Sequence, residues 1–336
     1  MPRACRARSR GPSPGRYRYR EGHPPPSTVP DEADILGTVQ DRSELAGFLR
    51  SRRARISPES AGIPGGTRRR VAGLRRDEVA RLAGISVEYY QRLEQGRAGR
   101  PSPEVLDALA GALRLDEVER DHLRTLGRPG RERSRTPAPR TETVRPELVA
   151  MLNLVTTPAM VLNDRFDVLV ANAVAVRLFT LDITPGAVAS PARANLARHL
   201  FLNPGSRDFY VDYDEAAAVT AGQLRVTRAR YPTDAALTEL IRELGDGSET
   251  FRALWSAGDV DVRAHGAKNL RHPALGTVTF AFEHFVPVDD ARQRLVVLVP
   301  VAGSATEAAV QLLSTWANAQ PAAPAPRAPR APSSVG

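Results

Sequence analysis

Residues 74–97 read LRRDEVARLAGISVEYYQRLEQGR, and this stretch restricts the chain more than any other. Apolar residues at helical spacing flank Ala83-Gly84-Ile85-Ser86, and the second run stops at Gly96. Gly84 can take the positive φ that a tight turn between two helices needs, and Ser86 is a good N-cap for the second helix. Ala80 is small where the helices would cross, while Ile85, Tyr90 and Leu93 would pin the second helix to a core. The partners for that core are nearby. Leu45, Phe48 and Leu49 share a face of a preceding helix. Ser102-Pro103 starts a fourth helix carrying Val105, Leu109 and Leu113, and Asp116 caps a fifth carrying His122, Leu123 and Leu126. The spacing predicts a compact all-α unit of five short helices over 40–127.

Seated this way, the second helix turns Val87, Glu88, Gln91 and Arg92 outward, where they can reach base edges in a major groove. An ordinary helical hairpin shares the glycine and the apolar positions. It does not explain the flanking Arg68, Arg69, Arg70, Arg75, Arg97 and Arg100, which suit phosphates. The charge distribution agrees. Residues 1–145 hold 30 Arg/Lys against 19 Asp/Glu, residues 146–336 hold 17 against 19, and 42–100 alone hold 14 against 6. A polyanion-binding N-terminal half therefore precedes a near-neutral one. Lys268 is the sole lysine, an arginine bias that GC-rich coding would also produce.

The neutral half mixes element types. A helix at 148–155 precedes a hairpin of strands at 159–163 and 166–171, turning at Asp164-Arg165, and a helix then runs through Phe179. A long helical region follows over 193–257, broken near Pro204 and Pro232. Strand patterns return at 260–264, 276–283 and 294–301 before a last helix at 306–316. This order is α+β around one antiparallel sheet. Arg/Pro-rich residues 1–39 and the Ala/Pro tail 317–336 read as disordered, and 128–144 as a linker between domains at 40–127 and 145–316.

Several function classes fall away. A single cysteine, Cys5, leaves no intramolecular disulfide and no multi-thiolate zinc site. Apolar runs such as 295–302 are too short to span a bilayer, and the basic N-terminus has no apolar stretch behind it, so a soluble cytoplasmic protein is expected. The six histidines, His23, His122, His199, His265, His272 and His284, show no metal spacing, and no Walker A loop, Gly-x-Ser-x-Gly elbow or GxGxxG turn occurs. No catalytic residue, metal or cofactor is expected.

Residues 40–127 resemble the lambda-repressor-like, Cro-type (xenobiotic-response-element) helix-turn-helix domain in Asp77-Glu78-Val79-Ala80, Ala83-Gly84-Ile85-Ser86 and Leu93-Glu94-Gln95-Gly96. Arg75 and Arg76 stand where that family usually has a Ser/Thr cap and a DNA-contacting Gln, and an extra basic loop separates the first two helices. Both features, with the GLRRDEVA and YYQRLEQGR motifs, resemble the MmyB-like regulators. The resemblance implies that Arg76 contacts phosphate or a base edge, and that Glu94 pairs with Arg52 or Arg53. The expected DNA-contacting set is Arg68, Arg69, Arg70, Arg75, Arg76, Ser86, Val87, Glu88, Gln91, Arg92 and Arg97.

The resemblance continues through 157–179, 195–218, 251–260 and 268–276, and implies a PAS-like domain that holds a small, fatty-acid-like ligand. Ala171 and Tyr213 occupy positions that are commonly Trp in that family. The expected ligand set is Asn172, Phe201, Tyr213, Trp255, Arg271, His272 and Phe280. Two readings stand for His272: it fixes the backbone of a turn, or with Arg271 it meets a ligand headgroup. Trp255 and Trp316 read more readily as core. Three function classes follow: a ligand-responsive transcription regulator that binds double-stranded DNA as a homodimer, a DNA-binding protein whose second domain only dimerises or binds protein, and a DNA-tethered enzyme. The first accounts for most of the features.

Overall fold

The computed structural model describes residues 32–63, 71–128, 143–183, 185–186, 194–288 and 290–319. Helix α1 (Glu32–Arg55) is followed by α2 (Arg76–Leu82), α3 (Val87–Glu94), α4 (Pro103–Ala112) and α5 (Glu117–Gly127). α1 therefore takes in 32–39, which the sequence reading assigned to the leader. Leu49, Leu74, Val79, Ala80, Tyr90, Leu109 and Leu123 are fully buried and form a single core for this helical unit. Ser86, Ser102 and Asp116 cap their helices as the sequence suggests, accepting from the amides of Tyr89, Val105 and Glu119.

The second unit begins with α6 (Pro146–Leu154), β1 (Ala159–Asn163), β2 (Val168–Ala171) and α7 (Ala173–Leu178). Next come α8 (Leu196–Leu202), α9 (Ser206–Phe209), α10 (Tyr213–Arg230), α11 (Ala235–Gly247) and α12 (Glu249–Ala257). β3 (His265–His272), β4 (Gly276–Phe285), β5 (Gln293–Pro300) and α13 (Ala305–Ala319) complete it. The strands form one open antiparallel sheet in the order β2-β1-β5-β4-β3. Side-chain alternation divides its two faces. Met160, Leu162, Val278, Phe280, Val296 and Leu298 point to the helices, whereas Ala159, Val161, Leu295 and Val297 meet Leu148, Val149 and Leu152 of α6. A buried cluster ties the β1–β2 turn to the start of α11. Asn163 and Asn195 donate to Asp167 at 2.8 and 2.7 Å, and Arg165 bridges Asp167 and Asp234.

One expected strand is misplaced. Residues 260–264 lie outside the sheet, which resumes at His265. Val260 leaves the strand pattern because it packs into the core of the helical unit with Val226 and Ala229 of α10. The breaks near Pro204 and Pro232 fall where expected, and Ser248 adds another by capping α12. Of the predicted disordered tail 317–336, residues 317–319 belong to α13, while 320–336, residues 1–31 and most of the linker lie outside the described residues.

Candidate functional site

The turn between α2 and α3 depends on two local features. Gly84 sits at φ 65°, and the Ile85 amide returns to the Ala80 carbonyl at 3.0 Å, closing the end of α2. The Ser86 hydroxyl then accepts from the Tyr89 amide at 3.1 Å and opens α3. Tyr90 and Leu93 anchor α3, leaving Ser86, Val87, Glu88, Gln91 and Arg92 exposed along its outer side. Arg92 lies 5.8 Å over the Tyr89 ring, and Arg75 and Arg97 are exposed at either end of the motif. Arg68, Arg69 and Arg70 lie outside the described residues.

Glu94 has a different role from its neighbours on α3. Its side chain is fully buried and binds Arg53 Nε at 2.5 Å and Arg76 Nε at 2.7 Å. Burial pushes its carboxyl up, but the hydrogen bonds from Arg53 and Arg76 outweigh this and hold it below the usual carboxylate range. Arg53, not Arg52, is thus the partner of Glu94. Arg76 is part of the same cluster, with its Nε committed to it. Arg52 points the other way, toward Glu119 and the second unit.

Between the sheet and α10 lies a cavity of about 130 Å³. Met160, Leu162, Phe282, Val296 and Leu298 line it from the strands, and Ala216, Val219, Thr220 and Gln223 from α10. Phe166, Phe179, Leu196, Leu200 and Tyr210 extend this apolar lining. Polar groups enter at few points. Asp212 accepts from Asn269 at 2.7 Å, and Glu215 pairs with Arg263. Arg294 reaches Asp164 at 3.8 Å, lies 4.7 Å over the Phe166 ring, and donates at 2.9 Å to the Gln223 amide oxygen turned toward it.

Lys268 is the exception. The residue is half-buried, and its ammonium lies 5.6 Å from the Tyr210 ring centre and 5.8 Å from that of Phe282. No described carboxylate pairs with it. Burial lowers its pKa from the usual lysine value. Burial, followed by the positive fields of Arg294 and Lys268, pushes His284 down to about 4, and burial brings Arg294 down to about 10 against the pull of Asp164. Burial therefore disfavours the charged forms of Lys268, His284 and Arg294 along this wall.

The ligand residues expected from sequence are brought together differently. Phe201 packs on Phe251 at 5.0 Å, Phe251 stacks on Trp255, and Phe280 is a core side chain beneath the helices. Tyr213 lies 4.2 Å beneath Arg207. Asn172 caps α7 and binds the carbonyls of Val155 and Thr157. His272 accepts the Ala274 amide at 3.2 Å and so fixes the β3–β4 turn, while Arg271 points to solvent. None of the seven is among the residues lining the cavity. Two signals in the sequence mark the wall that does form. Lys268 is the sole lysine of the chain, and Arg294 stands directly before the apolar run 295–302.

Among the described residues no group of His, Cys, Asp and Glu is arranged to hold a metal, and no helix is long and apolar enough to cross a membrane. The family model for a helix-turn-helix domain matches residues 44–123, and the model for the MmyB-like transcription regulator ligand binding domain matches residues 144–313. No curated relative matches the chain. The second match alone takes in more than half of the residues, and the chain belongs to the family defined by the MmyB-like transcription regulator ligand-binding domain, carried here behind a helix-turn-helix domain.

Proposed function

We propose that the protein is a cytoplasmic, ligand-responsive transcription regulator that reads double-stranded DNA with α3 and takes an amphiphile into the cavity of its PAS-like second domain. The observation that carries the DNA reading is the division of labour on α3: Tyr90, Leu93 and Glu94 are buried, while Val87, Glu88, Gln91 and Arg92 are exposed together. Arg75, Arg97 and the arginines at 68–70 supply the phosphate contacts that set register on the duplex. The amphiphile reading rests on an apolar cavity whose wall carries one ammonium without a carboxylate. Its tail would lie among Met160, Leu162 and Val219, and its acid head, as in a fatty acid, would lie at Lys268. The modest volume favours a short chain or one that protrudes from the mouth.

A homodimer completes the reading. One recognition helix spans too few base pairs to select a genomic site, so two half-sites are needed. Exposed apolar side chains favour association through the far side of the second unit. Leu154 on α6 is 82% exposed and Val301, just beyond β5, 65%.

The test combines selection of bound duplexes from a random pool with mass spectrometry of small molecules extracted from the purified chain. A pseudo-palindromic or directly repeated operator and a co-purifying amphiphile are expected. Replacing Arg68, Arg69 and Arg70 together should weaken binding to all sequences and flatten its salt dependence. A chain that binds all duplexes equally and stays monomeric on DNA by light scattering would contradict the reading.

A further inference from the structure

The two units meet where α10 packs on α5 and at the end of α12 with the segment 258–261, which runs between α10 and the end of α1. Ser51 Oγ donates to the Ala257 carbonyl at 2.9 Å. Arg52, only 2% exposed, donates Nη2 to the Gly258 carbonyl at 3.0 Å and Nη1 to Asp259 Oδ1 at 2.8 Å. Arg55 reaches the same carboxylate oxygen, also at 2.8 Å. On its own side Arg52 makes an ion pair and a ring contact but, among the described residues, no hydrogen bond through Nε. Its Nε lies 3.2 Å from Glu119 Oε1, and its guanidinium sits 4.8 Å over the Phe48 ring. Gly258, at φ 77°, turns the chain out of α12 into this clasp.

The other side of the segment rests on α10. A Cβ at Gly222 would fall 2.5 Å from the Asp261 nitrogen, so backbone approaches helix with no layer between them. Arg225 donates to the Asp259 carbonyl at 3.2 Å and also to the Trp255 carbonyl. α10 thus carries two adjoining stripes at helical spacing. Ala216, Val219, Thr220 and Gln223 face the cavity, and Gly222, Arg225, Val226 and Ala229 face the segment or the core of the helical unit. Close-packed layers transmit a displacement instead of absorbing it.

We propose that α10 and the Arg52–Asp259 clasp carry cavity occupancy to the DNA-reading unit: filling the cavity moves α10 against the segment, loosens the clasp and lowers operator affinity. This rests on the ligand-responsive reading above. A clasped unit presents α3 in one direction, and a released one has orientational freedom that docking on two half-sites must remove again. The clasp is the two-arrangement element that such coupling requires.

The test uses the full chain and operator duplexes that it selects from a random pool, with a two-site mutant cycle. Asp259→Ala opens the clasp from outside the helical unit, leaving Arg52 its Glu119 partner. Thr220→Phe fills the cavity without any ligand, and Ala216→Leu replaces it where Thr220→Phe does not fold. Each single variant is expected to lower operator affinity at least about five-fold, the lower end of ordinary allosteric coupling, with little further loss in the double variant. Fully additive losses would mean independent routes and overturn the proposal. Native affinity in Asp259→Ala would overturn it as well. Decanoate binding, followed by thermal shift on the same chains, separates the two readings. Failure to bind sinks the amphiphile reading, while the mutant cycle still decides the clasp.

Discussion

Glu94 in the helical unit and Lys268 in the sheet unit are both charges drawn away from water, and the two regions treat them in opposite ways. Glu94 is fully buried with two arginine partners within 2.7 Å, and its carboxyl is stabilised as an anion. Lys268 faces a cavity, has two aromatic rings about it and no described carboxylate, and burial works against its charge. A buried charge whose partners are all in place serves the fold, because nothing further can be gained from a ligand. A charge left without its counter-ion costs stability until something else supplies one. The first arrangement supports α3, and the second is what the proposed amphiphile reading builds on.

The largest test of this contrast lies at Glu94. Glu94→Ala strips a buried partner from Arg53 and Arg76 and is expected to cost about 3 kcal/mol, seen as loss of hydrogen-exchange protection in α2 and α3. Lys268→Met removes an uncompensated cation, so a native or raised melting temperature is expected. Equal destabilisation by both would break the distinction.

A smaller effect separates Glu94 from its exposed neighbours. Replacing Gln91 or Arg92 by Ala should leave stability unchanged but relax sequence preference, by about 1–3 kcal/mol for each lost base-edge contact. Competition between operator and scrambled duplexes measures this. If either variant keeps native discrimination, that side chain does not read bases.

Acid offers a third, milder comparison. The folded His284 titrates at about 4 instead of the usual 6.5, so the unfolded chain takes up this proton first as pH falls. The stability that His284 contributes is whole above 6.5 and drains away between 6.5 and about 4. Glu94, held below 4.5, keeps its contribution down to that value and loses it only as pH falls through its lower folded value. Hydrogen exchange at pH 7 and pH 5 should therefore show the sheet unit softening while α2 and α3 hold, and His284→Gln should flatten that response. Softening of α3 first would contradict the assignment.

Sequence legibility follows the same division. The α2–turn–α3 motif is legible because its determinants are local: the positive φ of Gly84, the Ser86 cap and the spacing of Ala80, Tyr90 and Leu93. β1, β4 and β5 are legible from their apolar runs. β3 is not, because HGAKNLRH looks polar and only Leu270 and His272 are buried within it. The competing stretch 260–264 alternates like a strand, but Val260 is claimed by the helical unit, a tertiary contact that no local pattern records. The cavity wall is hard to read in the sequence for a related reason. Aromatics attract attention in a sequence, but Phe201, Phe251 and Trp255 satisfy one another, and the cavity-wall cation without a described carboxylate is a lysine. Pairing across the fold decides which residues remain available, and it arises only once the chain is packed.

The most direct measurement of the central claim is operator affinity of the full chain with and without saturating decanoate, for the native protein and for Lys268→Met. The account predicts that decanoate weakens operator binding at least about five-fold in the native protein and has little effect on Lys268→Met. Decanoate that binds the native chain and leaves its operator affinity unchanged would contradict it.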